Sequence, residues 1–177
     1  ANPSHLVESH MTCTLILMRH SHAASENSCR DFDRPLTNAG LQLADVTGQL
    51  LNNLAVTPDL IVTSAAVRTV QTGQRIAAQF ITDIPSVARD DLYQSSPSAY
   101  LPAIQAEASP KTSVILAIGH NPGIESLISR LTETGISVPP ATVGIYSVAV
   151  DDWHKLPTLS NQLVSLTHLI VDGQLKT

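Results

Sequence analysis

Three aliphatic runs punctuate the chain, and each stops abruptly at polar residues. "TLILM" (14–18) gives way to Arg19-His20, and "DLIVT" (59–63) to Ser64 and a segment carrying Arg68. "SVILAI" (113–118) gives way to Gly119-His120-Asn121. Short runs of aliphatic residues without polar alternation are the pattern of strands buried on both faces of a parallel sheet. Any fold that satisfies all three must cover both faces of that sheet, and helices are the usual cover.

The segments between the runs supply those helices. Residues 39–54 repeat apolar side chains at helical spacing through Leu41, Ala44, Leu50, Leu51 and Leu54, and Pro58 closes the segment. Ser64 is placed to cap a helix over 65–80, with Val67, Val70, Ile76, Ala77 and Phe80 on its apolar positions. A weaker strand near 84–88 precedes Pro97, which opens a third helix over 97–107. After "SVILAI", Asn121 reads as an N-cap and Pro122 as the first helical residue of a fourth helix. Further strands are expected at 143–150 and 163–170. The alternation predicts an α/β fold, a three-layer sandwich with a mainly parallel central sheet and helices on both faces.

At 177 residues the chain has the size of one domain, expected over 11–177. Residues 1–10, "ANPSHLVESH", have neither a basic start nor an apolar stretch, and "SHM" at 9–11 resembles a cloning remnant before Met11. Aromatic residues make up only 3%, so the core must be aliphatic. The net charge of −5 argues against a nucleic-acid protein, since neutralising phosphates needs a basic surface. Cys13 and Cys29 have no metal-ligand spacing and make no disulfide framework, which suits a reducing cytoplasm. No apolar run is long enough to span a membrane. No metal and no cofactor are expected.

In open α/β sheets, ligands gather beyond the carboxyl ends of the strands. Arg19-His20, Ser64 to Arg68, and Gly119-His120-Asn121 all fall there. Singly, each has an ordinary explanation: a surface turn, a solvated charge, a helix start. Three such groups at three strand ends point instead to one site for a small anion.

"LMRH", "RPLTNAG", "DLIVTSAAVRTVQT" and "IGHNPGIE" occur in the order of the signatures of the histidine phosphatase (phosphoglycerate mutase-like) superfamily. The short chain, "DFDRPLT" and "GHNPGIE" most resemble its SixA-like phosphohistidine phosphatase branch. The resemblance runs from about residue 14 to about 130. It implies that His20 is the nucleophile, that Arg19 and Arg68 clamp phosphate, and that His120 binds it and stabilises the charge in transfer. Each type suits its role: neutral imidazole is a competent nucleophile, and guanidinium is a bidentate partner for phosphate. The "RPLT" motif adds the Thr37 hydroxyl as a further substrate-binding candidate, and Asn121 is another. Ser64 reads as a helix cap and Thr72 as a packing or helix residue.

Two departures stand out. Ser21 occupies a place that is often glycine in this family. Gln94, in "DDLYQSSP", falls where many family phosphatases carry a glutamate that protonates the leaving oxygen. Asp31, Asp33, Asp90 and Asp91 read as solvated carboxylates rather than as that acid. A site without a dedicated acid suits a phosphohistidine, whose imidazole leaves readily once protonated, better than an alkyl phosphate. The expected substrate is therefore a phosphorylated protein, with inorganic phosphate or another oxyanion also entering the pocket. The alternatives are a phosphomonoesterase acting on a small phosphoester and a phosphate-binding regulatory module without turnover. Trp153-His154 reads as a surface loop, and the tail beyond about 130 carries no recognised signature.

Overall fold

In the computed structural model, residues 12–27 and 29–177 are described, so the expectation for residues 1–10 lies outside them. The aliphatic runs form β1 (Cys13–Arg19), β2 (Leu60–Ser64) and β4 (Val114–Gly119), with β3 at Ser86–Arg89. The helices are α1 (Asn38–Asn53), α2 (Val67–Ala77), α3 (Tyr100–Glu107) and α4 (Gly123–Thr132). The tail adds β5 (Val143–Val148), β6 (Val164–Val171) and the short β7 (Gln174–Leu175).

The strand order is β3-β2-β4-β1-β5-β6-β7. The first four strands are mutually parallel, and β5, β6 and β7 each pair antiparallel with their neighbour. The three-layer α/β architecture is present, and the sheet is mixed: a parallel half carries the three motifs and an antiparallel half is built from the tail. Side-chain alternation divides the core into two layers. Leu15, Leu17, Val62, Ile115 and Ala117 pack against α3 and α4. Ile16, Met18, Ile61, Leu116 and Ile118 pack against α1 and α2.

This arrangement decides where a ligand can sit. β1 and β4 are neighbours, yet the helix after β1 covers one face and the helix after β4 covers the other. Chains that diverge from adjacent parallel strands leave a crevice at the carboxyl ends. Arg19-His20 and Gly119-His120 are at the two lips of that crevice. Gly119 is required there, because a Cβ would overlap the Tyr100 hydroxyl.

Four expectations need correction. Ser64 ends β2 and does not cap a helix; α2 begins at Val67 after Ala66, although Ser64 Oγ accepts from Ala66 N–H at 3.1 Å. The buried stripe of α2 is Arg68, Thr69, Thr72, Gly73 and Ile76, so polar residues hold the inward face and apolar periodicity misplaces the ends. Asn121 is not the N-cap of α4 either. Pro122 holds that place, and the first turn closes from Ile124 N–H to His120 O at 2.8 Å. Trp153 is fully buried, part of the core layer that holds α3 and α4. Only His154 of that pair is exposed, bonded to Asp152 and the Gln105 carbonyl.

Candidate active site

His20 is set by its neighbour. Its Nδ1 lies 2.7 Å from the Ser21 carbonyl oxygen, which can only accept, so Nδ1 carries the ring proton. Nε2 is therefore the bare nitrogen, and Arg68 Nε–H donates to it at 3.3 Å. The Ser21 backbone is itself tied down: its N–H donates to Thr72 Oγ1 at 3.1 Å, and its hydroxyl donates to Gly40 O at 2.7 Å. Thr72 Oγ1 also donates to Arg68 O at 2.7 Å. The serine in place of glycine thus ties the His20 loop to α1, and Thr72 ties it to α2.

His20 and His120 are 93% buried and their ring centroids lie 5.2 Å apart. Burial, reinforced by His120, Arg68 and Arg19, pushes the His20 pKa down to about 3, against the pull of the Ser21 carbonyl. Burial, with Arg68 and Arg19, pushes His120 down to about 4. Both imidazoles are neutral at pH 7. His120 Nε2 is 2.7 Å from Ser64 Oγ, and its Nδ1 is buried without a protein partner.

The two arginines differ in setting. Arg19 NH1 donates to Val138 O at 2.9 Å, its Nε is buried and unpaired, and burial lowers its pKa. The tail thereby supports the site, because Val138 and the Ala141 N–H bonded to the Arg19 and His20 carbonyls both belong to it. Arg68 donates from NH1 to Asp31 O at 2.6 Å and from NH2 to Asp31 Oδ2 at 3.1 Å. Asp31 also accepts from Tyr93 Oη at 2.5 Å and from Arg34 Nε and NH2. The Tyr93 hydroxyl first, then Arg34 and Arg68, hold that carboxyl well below the usual carboxylate range. Asp31 is therefore not a freely solvated carboxylate but a fixed anion on Arg68, and it holds no proton to give at neutral pH.

Around these groups opens a cleft of about 910 Å³ lined by Arg19, His20, Arg68 and His120, with Asp31 and Arg34 to one side and Glu26 and Gln94 at the mouth. Thr37 is not among its lining residues; its Oγ1 accepts from Gly40 N–H as the N-cap of α1. Asn121 lines the cleft, but its amide N–H groups are committed to Val138 O and Glu125, leaving only an acceptor oxygen unpaired. Its side-chain amide therefore has no free N–H turned to the cleft. Among the described residues no cluster of three or more His, Cys, Asp or Glu is placed to hold a metal ion. No helix among them is long and apolar enough to cross a membrane.

Sequence reasoning missed Arg34 and Glu26 at the cleft, Tyr93 on Asp31 and the bond from Ser21 to Thr72, and misread Asp31 and Ser64. The four-residue step from Arg68 to Thr72 signals a shared helix face; the other five carry no local signal, since each is brought in by another loop or strand.

The fold and the cleft define an α/β protein with a neutral imidazole and guanidinium groups converging on the strand ends, a chemistry suited to phosphoryl groups. The family model of the histidine phosphatase superfamily (branch 1) matches residues 15–93. An uncharacterised chloroplastic protein of Arabidopsis thaliana is 32% identical over 158 residues, spanning 82% of this chain and 71% of that protein. The protein belongs to the histidine phosphatase superfamily and is a phosphatase, a hydrolase of the SixA-like branch. The crystal structure assigned as phosphohistidine phosphatase SixA of Agrobacterium tumefaciens superposes with a TM-score of 0.72 at 25% identity, covering 90% of this chain and 97% of that one. The protein histidine phosphatase SixA complexed with tungstate matches with a TM-score of 0.72 at 18% identity, over 90% and 97% of the two chains, and shares the fold.

Proposed function

We propose that the protein is a protein phosphohistidine phosphatase in which His20 carries the phosphoryl group. One observation supports this above the rest: His20 is neutral, its Nδ1–H is tethered to Ser21, and its free Nε2 faces Arg68 beside Arg19 and His120. In the first step Nε2 forms a bond to phosphorus as the bond from phosphorus to the substrate nitrogen breaks. The substrate ring enters protonated on its other nitrogen, so it departs as a neutral imidazole and needs no proton from the protein. The guanidinium groups of Arg19 and Arg68 and one N–H of His120 balance the charge on the phosphoryl oxygens. His20, now substituted on Nε2 and protonated on Nδ1, carries a positive charge that the Ser21 carbonyl stabilises. Water then attacks phosphorus, the bond to Nε2 breaks, and inorganic phosphate leaves with neutral His20 restored.

The relatives named as SixA phosphohistidine phosphatases support the substrate class, as does tungstate, a phosphate-like oxyanion, in one of them. The open cleft, in which the carboxylate beside Arg68, Asp31, is held ionised, agrees with a protruding phosphohistidine side chain. The test compares turnover of a phosphohistidine protein with a panel of phosphoesters, and traps acid-labile phosphate during turnover. Phosphohistidine should be preferred and the label should map to His20. His20→Ala should lose at least about a thousandfold in rate while staying folded. Label on another residue, or near-normal rates in His20→Ala, would overturn the mechanism. Equal or better turnover of alkyl phosphates would overturn the substrate.

A further inference from the structure

Ser64 is wholly buried at the end of β2, and its hydroxyl meets only two polar atoms. The Ala66 backbone N–H can only donate, so Ser64 Oγ accepts from it. The second is His120 Nε2 at 2.7 Å, and the direction of that bond follows from what remains. If Nε2 donated, Ser64 would accept twice and its own hydroxyl proton would be buried with no acceptor, a costly arrangement. If Ser64 donates to Nε2, every polar atom of the serine side chain is satisfied. The ring proton of a neutral His120 must then reside on Nδ1.

We propose that Ser64 is a positioning residue that fixes His120 as the Nδ1–H tautomer. Nδ1 is the one polar atom of that ring left buried without a protein partner, on a residue that lines the cleft. Resting on the phosphatase reading, its purpose is to hold an N–H donor ready for a phosphoryl oxygen without charging the imidazole. A neutral donor matters here, because a cationic His120 would stand 5.2 Å from His20 and oppose the positive charge that phosphorylation places on that ring. The arrangement is complementary to that of His20. There the Ser21 carbonyl takes the Nδ1 proton bond and frees Nε2 to attack; at His120 a serine hydroxyl occupies Nε2 and frees Nδ1 to donate.

The tautomer can be read directly, without turnover, from the imidazole nitrogen resonances of the 15N-labelled full chain at pH 7. His120 is assigned by comparison with His120→Gln. Nε2 should show the shift of a bare ring nitrogen and Nδ1 that of a protonated one, and added inorganic phosphate should move Nδ1 and its proton. In Ser64→Ala the two nitrogens should average between tautomers, and kcat/KM should fall about tenfold, the scale of one neutral hydrogen bond. Ser64→Thr, which keeps the hydroxyl, should restore both. A protonated Nε2 or a doubly protonated ring in the wild type would overturn the proposal, whatever becomes of the variants. So would a Ser64→Ala protein that keeps the Nδ1–H tautomer and wild-type kcat/KM. An Nδ1–H tautomer that does not respond to phosphate would support the role of Ser64 and remove the phosphoryl reading, so the two failures are told apart.

Discussion

Arg68 commits two of its three guanidinium nitrogens to Asp31 and turns the third, Nε, toward His20 Nε2 at 3.3 Å. The same aspartate that aims the guanidinium also competes for it with any entering anion. Asp31→Asn keeps a carbonyl oxygen for the fork but removes the competing charge. Inorganic phosphate should therefore inhibit the variant about two- to fivefold more tightly, the scale of one half-exposed charge. The turnover number should fall as Arg68 loosens. Inhibition constants and kcat from the same preparations check this, and weaker phosphate inhibition in the variant would contradict it.

The two histidines set the pH behaviour. Both are neutral in the folded protein down to about pH 3 and 4, whereas in the unfolded chain they take up protons near pH 6.5. A folded-state pKa lowered in this way gives stability that is complete above about 6.5 and is lost as pH falls toward the folded value. The melting temperature should decline between about pH 6.5 and 4, and less so in His20→Asn, which has no such proton to take up. For the same reason kcat/KM should stay level through pH 6.5. An acid limb centred near 6.5 would show that the rings are solvated.

Thr72 offers a test of how His20 is held. Its hydroxyl accepts from Ser21 N–H and donates to Arg68 O, so it links the nucleophile's loop to the helix that carries the clamping arginine. Thr72→Val preserves shape but leaves the buried Ser21 N–H unsatisfied, at a cost of about 1–3 kcal/mol. Chemical denaturation should register that loss, and kcat should fall about tenfold with little change in KM. Thr72→Ser should recover most of both. A Thr72→Val protein with unaltered kcat would mean that the Ser21 loop holds its shape without this bond.

What the sequence made legible follows from where the signals are local. β1, β2 and β4 were visible because aliphatic runs buried on both faces tolerate no polar interruption. Arg19, His20, Arg68 and His120 were visible because each lies at or just beyond one of those strand ends. Thr37 and Asn121 were visible only through their motifs, which do not tell that one hydroxyl is used up in capping α1 or that one amide is turned to Val138. Asp31 and Tyr93 meet across 62 residues and Ser64 and His120 across 56, and no local pattern encodes such pairings. The antiparallel half of the sheet was legible as strands but not as support for Arg19. That role depends on the tail folding back so that Val138 and Ala141 reach the first strand.

The supply of protons to the leaving group is the last point the geometry makes testable. Among the described residues two carboxylates line the cleft: Asp31, held ionised by Tyr93, Arg34 and Arg68, and the exposed Glu26 at the mouth. Asp33 is paired with Arg30 and Asp91 with Arg89, outside the cleft lining, which Asp90 also does not join. Gln94 does line the cleft, in a left-handed backbone conformation at φ 54°, and its amide cannot act as an acid. Rates on phosphoesters should therefore climb steeply as the leaving alcohol becomes more acidic, with aryl phosphates well ahead of alkyl phosphates. Gln94→Glu places a carboxyl group at the mouth with the same backbone demand, so alkyl-phosphate turnover should rise about tenfold or more while phosphohistidine turnover changes little. Glu26→Gln should leave phosphohistidine turnover within about threefold, as expected of a residue at the edge of the chemistry. If Glu26→Gln instead removes alkyl-phosphate turnover, the proton comes from that loop, and leaving-group chemistry would no longer favour phosphohistidine over a phosphoester.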